Sequence, residues 1–319
     1  MRINKQIGII IITFFWLNLG FGQSQKSFEK LIAKTNNYLE KYSKLSPFGS
    51  EEFISLDKSG LPKNLINEIN KNYMEYDGYT QDSISEFNLI LEFQGVIIEN
   101  LTSIISHKKF KDNKIEDLIR QDFDLSIAVS DDKKLFNFSL DEKTGGTYRS
   151  RISITHYTND SIVPSMNNND PHEIINQHQV FEGDGFDNIY SLETEQGTKY
   201  VLTGFVRGCS SCFELNLMLV NNKSGFFEKD FSYIINTRFP QECTLDYNST
   251  SKTIVVDYIT DDLTTDCDCT NYAMLDENEY NNYSDSDETE PITKRCHCTF
   301  EFNGLNFELV KESWEKEKE

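Results

Sequence analysis

The chain has 319 residues, a formal net charge of −21 and a hydrophobic fraction of 38%. A surface this acidic repels phosphate backbones, which excludes nucleic acid as a partner and favours a soluble monomer. It suits a cationic ligand, a divalent ion or a basic protein surface, although a solvated acidic exterior is the simpler account.

Residues 1–22 come first in chain order. Arg2 and Lys5 precede an apolar run from Ile7 to Leu17, and Gly20-Phe21-Gly22 ends it with a small-residue boundary before Gln23. That is the layout of a secretory signal. The run is about half of the ~20 residues a spanning helix needs, so cleavage after Gly22 is expected rather than anchoring. No cysteine follows it to carry a lipid. The expected location is extracytoplasmic, secreted or periplasmic, by bacterial-type export. What remains is about 300 residues, roughly two domains by length. No later segment is expected to span a membrane: residues 84–107 come closest, but Glu86, Glu92, Gln94, Glu99 and Asn100 interrupt them.

Residues 23–121 carry no cysteine and show helical spacing. Phe28, Leu31, Ile32, Thr35, Leu39, Tyr42 and Leu45 form one stripe that ends at Ser46-Pro47-Phe48-Gly49. Asn64 to Tyr73 reads as a short helix with Leu65, Ile66 and Ile69 inward. Phe87 to Ile105 is apolar nearly all round and fits the central helix of a small bundle, with a pair of strands as the alternative because of its β-branched content. Ile115 to Arg120 reads as a last helical turn.

From residue 122 to 319 the period becomes two. Leu125, Ile127 and Val129 alternate with polar residues, as do Phe136, Phe138 and Leu140, then Tyr148, Ile152 and Ile154, then Phe213, Leu215, Leu217 and Leu219. Three stretches share a strand–turn–strand layout, with turns at Ser130–Lys133, Glu195–Lys199 and Asn248–Lys252. Their starts lie about 60 residues apart, longer than common propeller blades, and three are too few to close a propeller. The expected fold class is α+β, mainly β: a helical N-terminal layer followed by antiparallel meanders in an open sheet, a sandwich or a partial propeller, stapled by disulfides. Near the end, Asn303-Gly304 between alternating runs predicts a two-residue type I′ hairpin. That register would pair Phe302 with Leu305, Phe300 with Phe307 and Cys298 with Leu309, and turn His297 to the opposite face.

All seven cysteines lie between residues 209 and 298. Two pairs read C-x-C, Cys267/Cys269 and Cys296/Cys298, and in an exported chain disulfides between them are the default. An antiparallel arrangement gives Cys267–Cys298 with Cys269–Cys296, and a parallel one gives Cys267–Cys296 with Cys269–Cys298; spacing alone leaves both open. Four thiolates binding zinc is the weaker alternative, since C-x-C is tighter than the usual ligand spacing. Cys209 and Cys212 follow one strand and precede another, which fits a loop-closing disulfide better than a redox motif at a helix start. Cys243 is left over, or bridges to one of these two.

Between the C-x-C pairs lies an acidic insertion, residues 270–295. Asp276, Glu277, Glu279, Asp285, Asp287, Glu288 and Glu290 supply oxygen donors of the kind calcium takes. The EF-hand pattern fails, however, because the glycine and the closing glutamate are missing. Tyr272, Tyr280 and Tyr283 interleave with the acids, as in a contact surface for a basic partner.

Signatures of catalysis are sparse. His172-Glu173 nearly begins a zincin motif, but Asn176 stands at the second ligand position, and His178 lies about 240° round a helix. Thr144–Thr147 reads as a hairpin turn and His156 as a core-edge histidine. Asn-x-Ser/Thr sequons such as Asn137-Phe-Ser139 and Asn248-Ser-Thr250 matter only in a host that glycosylates them.

The segment from Ser130-Asp-Asp-Lys-Lys-Leu-Phe-Asn-Phe to Thr147, continuing to Tyr157, resembles stretches of uncharacterised exported bacterial β-rich proteins; the likeness covers about residues 125–157. The resemblance implies a β-rich exported protein and brings no activity with it. The sequence therefore points to an exported, non-catalytic binding protein, presenting its acidic loop to a protein, glycan or ion and needing no cofactor. The alternative is an exported hydrolase of glycosidase-like, carboxylate-based type whose Asp/Glu or Asp/His residues converge only in three dimensions.

Overall fold

The computed structural model describes residues 25–46, 48, 53–72, 79–80, 82–122, 124–143, 149–158, 181, 185–208, 213–223, 226–237, 243–262, 267, 269 and 292–316. These divide into two compact units, residues up to 125 and residues from 126 onward. The expected signal segment, 1–22, lies outside the described residues.

The first unit is mainly helical. Helix α1 covers 25–42, and its predicted stripe is the buried face: Phe28, Ile32, Thr35, Leu39 and Tyr42 are all inside. A short strand β1 (Ile54–Ser55) leads into α2 (Leu56–Ser59), which ends at Gly60 in the left-handed conformation. Helix α3 (Lys63–Asn72) matches the predicted short helix. Strands β2 (Tyr79–Thr80) and β3 (Ser83–Ile84) join β1 in a three-stranded sheet of order β1-β3-β2.

Helix α4 (Glu86–Ile105) is a helix and not a strand pair. Ser85 caps it by accepting from the Asn88 amide at 3.2 Å. Leu89, Ile90, Phe93, Ile97, Ile98, Leu101 and Ile104 are almost wholly buried, so its β-branched residues serve core packing. Its buried polar group Gln94 donates to the Tyr42 hydroxyl at 3.2 Å, joining α4 to α1. After α5 (Ile115–Leu118), the Asn36 side chain donates to the Leu118 carbonyl and accepts from the Arg120 amide, which fastens this last turn to α1. Among the described residues, no helix is long and apolar enough to cross a membrane.

The second unit is all antiparallel β, in three consecutive meanders. The first sheet has the order β4 (Leu125–Val129), β5 (Leu135–Asp141), β6 (Arg151–Tyr157); β4 begins at the unit boundary. The second has four strands, β7 (Asn188–Thr194), β8 (Gly197–Arg207), β9 (Phe213–Lys223) and β10 (Phe226–Thr237), each paired with the next. The third repeats that order with β11 (Thr244–Asn248), β12 (Thr253–Asp262), β13 (Ile292–Phe302) and β14 (Phe307–Lys316). The three stretches alike in sequence are thus the openings of three successive sheets. In each, the first turn contains a residue with positive φ: Lys133, Gly197 and Lys252.

The sheets stack face to face. One core fills the space between the second and third, with Val201, Leu217, Leu219 and Ile235 against Ile254, Val256, Cys298 and Phe300. Another joins the opposite face of the second sheet to the first, through Tyr200, Leu202, Val220 and Phe227 with Ala128 and Leu135. The central sheet is therefore covered on both faces, and Tyr200, Val201 and Leu202 are buried in succession. Polar side chains seal the first sheet. Asn137, wholly buried, donates to Ser153 and Thr155 and accepts from Ser139 and from the Phe186 amide.

The terminal hairpin departs from the predicted register. Phe302 faces Phe307, and the connection is the four residues Asn303–Asn306. The Asn303 side-chain oxygen accepts from the Leu305 and Asn306 amides, both at 2.8 Å, and the Asn303 amide donates to the Asn306 carbonyl. Asparagine here closes the turn with its side chain instead of occupying its centre. Phe300 consequently faces Leu309, and a bulge between Thr299 and Phe300 sets Cys298 opposite Glu312. Leu305 ends up half-exposed at the tip.

Candidate functional site

The two C-x-C pairs meet as Cys267–Cys296 and Cys269–Cys298, each with Cα atoms 5.8 Å apart. This is the parallel alternative, and it is made from outside the strand ladder. Strand β13 already has β12 on one side, where Tyr258 faces Cys296, and β14 on the other, where Trp314 faces Cys296. With both edges taken, residues 267 and 269 reach β13 across its face, outside any antiparallel pairing. All four half-cystines are buried in the core between the second and third sheets. Their sulfurs are bonded in pairs, and so are not thiolates for a metal.

Cys243 is a free, buried thiol. Burial, helped by the Asp257 carboxylate, pushes it up to about 12, so it stays protonated and unreactive. Cys209 and Cys212 lie outside the described residues, as do Asp276, Glu277, Glu279, Asp285, Asp287, Glu288 and Glu290, the Thr144–Thr147 turn, and His172 and His178. The staple fixes where the acidic segment leaves and rejoins the sheet. His156 is buried beside Phe136, as its strand position predicted. Of the sequon asparagines named above, Asn137 is sealed in the core network, whereas Asn248 stands exposed at the end of β11.

A cleft of about 270 Å³ opens between the second sheet and β11. Tyr190 and Phe205 line it from β7 and β8, Leu215 and Asn216 from β9, and Asp246 and Tyr247 from β11. The Tyr190 and Tyr247 rings meet edge to face, with centroids 5.2 Å apart. Asp187 at the rim is fully engaged: one oxygen pairs with Arg151 at 2.7 Å and the other accepts from the Phe205 amide at 3.0 Å. Arg151 also donates to the Phe205 carbonyl. Together these groups complete the β8 edge where β7 has not yet begun.

The buried Tyr247 hydroxyl lacks a hydrogen-bond partner among the described residues, as does Asn216 Oδ1, which lies on the other face of β9, turned toward the first sheet like Met218 and Val220. Burial, with Asp131 and Tyr190 nearby, pushes the Tyr247 phenol up to about 12, so it remains a neutral donor and acceptor. Gly204, also in the lining, permits this arrangement: a Cβ there would stand 2.6 Å from Asn216 Oδ1 and 2.7 Å from the Gly185 carbonyl.

The outer face of the third sheet carries a second cluster. Asp257, His297 and Ser313 face one another across β12, β13 and β14. Asp257 holds His297 Nδ1 at 2.7 Å and Arg295 Nη1 at 2.8 Å. The other ring nitrogen, Nε2, has Glu315 at 3.9 Å. His297 thus points away from the cystines, as alternation required. Among the described residues, no group of three or more His, Cys, Asp or Glu side chains is placed to hold a metal ion.

Neither the cleft nor this row was found from sequence. The cleft draws on three strands of one sheet and one of the next, so no local spacing marks it. For the row, the only available signal was the outward-facing position of His297. Compared with protein-family models, with curated proteins and with solved structures, the chain gives no match.

Proposed function

We propose that this chain is an exported, non-catalytic binding protein whose contact element is the acidic segment between the C-x-C pairs, directed at a basic partner. The observation that carries the reading is the double staple. Two buried disulfides tie residues 267 and 269 to the middle of β13, so an excursion with no lysine or arginine between 270 and 291 starts and ends on a rigid core. Fixing the feet of a loop lowers the ordering cost when it binds. Disulfides also fit an oxidising, extracytoplasmic compartment. The test is retention on a poly-L-lysine surface over a salt series. Neutralising Asp276, Glu277, Glu279, Asp285, Asp287, Glu288 and Glu290 to amides should weaken retention at least tenfold more than neutralising as many exposed acids in residues 25–120. Equal losses would mean only net charge is being read, and the proposal would fall.

A hydrolase is the second reading, favoured by the Asp257–His297–Ser313 row, whose residue types match an acid–base–nucleophile relay. It ranks second because His297 Nε2, the atom that would take a serine proton, lies beside Glu315. Turnover of p-nitrophenyl acetate that disappears in both Ser313→Ala and His297→Ala would reverse the ranking; identical rates in all three proteins would end the reading.

A further inference from the structure

The turn between β11 and β12 carries chemistry that neither the acidic segment nor the cleft uses. We infer that Asn248 is an acceptor site for an N-linked glycan, transferred by an oligosaccharyltransferase that reads an acidic residue two positions before the asparagine. The inference shares with the proposed function only the export of the chain, which brings it to the compartment where such transfer takes place.

Sequence singles the site out first. The chain holds six Asn-x-Ser/Thr sites, at Asn100, Asn137, Asn159, Asn222, Asn248 and Asn282. Only Asn248 has an acid two positions before it, in Asp246-Tyr247-Asn248-Ser249-Thr250; the others have Ile98, Leu135, Tyr157, Val220 and Tyr280 there. Exposure separates them further. Asn100 and Asn137 are buried, whereas Asp246, Asn248 and Thr250 are all exposed.

Strand geometry presents the set together. Alternation on β11 sends Leu245 and Tyr247 into the core and leaves Asp246 and Asn248 on the outer face. Asp246 lies opposite Val255 and makes no ion pair among the described residues, so its charge is open to a cationic group of the enzyme. Among the described residues β11 is an edge of its sheet, paired with β12 alone, and a transferase can reach it from the side. Asn248 ends the strand, and its side-chain oxygen accepts from the Thr250 and Ser251 amides at 2.9 and 3.0 Å. This Asx turn holds the carboxamide by its oxygen. It leaves Nδ2, the atom to be glycosylated, without a hydrogen bond among the described residues. The Thr250 hydroxyl is equally free there, while Ser251 Oγ pairs with Thr253.

The step is a glycosyl transfer. Asn248 Nδ2 bonds to C1 of the donor sugar and gives up one proton. The C1–O bond to a polyprenyl diphosphate breaks, and the diphosphate leaves with the electron pair.

The test incubates the full exported chain, folded and oxidised, with a bacterial single-subunit oligosaccharyltransferase of acid-reading specificity and a polyprenyl-diphosphate-linked N-acetylhexosamine oligosaccharide. Intact mass should show a single added glycan, and peptide mapping should place it on Asn248. Asn248→Gln should abolish the addition, and so should Thr250→Ala. Asp246→Asn should slow transfer roughly tenfold, as expected for the loss of one charge-assisted contact, without changing the melting temperature. The inference is overturned if the folded chain gains no glycan, if the glycan lies on another asparagine while Asn248 stays bare, or if Asp246→Asn is modified as fast as the parent.

Discussion

The second and third sheets share one topology, four strands in simple succession, yet they are stabilised differently. The second lies between two neighbours, so both faces are apolar: Tyr200 and Leu202 serve one core and Val201 the other. Among the described residues, the third has a neighbour on one face only. On β13 it alternates strictly, with Cys296, Cys298 and Phe300 buried and His297 and Thr299 less so, and from Val310 to Lys316 its last strand is exposed. Among its described residues, the second sheet is held by apolar area on both faces, with the buried Lys199–Asp230 pair joined by Asn221. The third lacks half of that area and carries two disulfides on its single buried face. The edge strand β14 is further protected from pairing by a bulge and by Lys311, Glu312, Glu315 and Lys316.

This contrast can be broken at its staple first. Replacing Cys267, Cys269, Cys296 and Cys298 by serine opens loops of sequence separation 29. It should cost about 4 kcal/mol, as expected for loops of this size plus lost core packing. Urea unfolding monitored by tryptophan fluorescence would register it, because Trp314 faces Cys296. An unchanged midpoint would show that the third sheet stands without its cystines.

Next comes the central sheet. Leu202→Ala removes a wholly buried side chain and should destabilise by about 3 kcal/mol in calorimetry or denaturant titration. A loss below about 1 kcal/mol would mean that the second face is not tightly packed.

A smaller effect tests the junction between the first two sheets. Asp132 accepts from Tyr200 at 2.9 Å and from Ser130 at 2.6 Å. Burial by itself would raise its carboxyl, but these bonds, with the Lys134 amide and the Lys134 charge, outweigh burial and hold it below the ordinary carboxylate range. A group lowered on folding contributes stability above its unfolded pKa of about 3.9 and loses it as pH falls through the folded value. The acid limb of the stability curve below about pH 4 should therefore be shallower in Asp132→Asn, with about 1 kcal/mol lost at pH 7. Parallel acid limbs in the two proteins would refute the assignment.

The smallest change belongs to the open face. Val255 is 45% exposed on β12, and Val255→Ala should stay within about 0.5 kcal/mol of the parent. A cost like that of Leu202→Ala would reveal a cover on that face.

Particular residues show what could be read early. The stripe Phe28–Tyr42 and the apolar run Phe87–Ile105 became the helices they implied, because each buries a face whose spacing only a helix aligns. The Asn303-Gly304 hairpin was correctly located but wrongly registered. A dipeptide favours a turn, while the exact closure was set by the Asn303 side chain and a bulge several residues away. Cysteine spacing implied two bonds between the C-x-C pairs and left their partners open. The choice required the path of residues 267–269 across the face of β13, whose edges β12 and β14 already occupy.

Period, apolar spacing and cysteine placement are local quantities, and they determined by themselves a helical start, an antiparallel remainder and a stapled acidic segment. The stacking of three meanders, the double burial of the middle one, the cleft at Tyr190 and Tyr247 and the pairing of Asp257 with His297 were decided only in three dimensions. Each brings together strands many residues apart, and alternation says which face a side chain takes without saying what that face will meet.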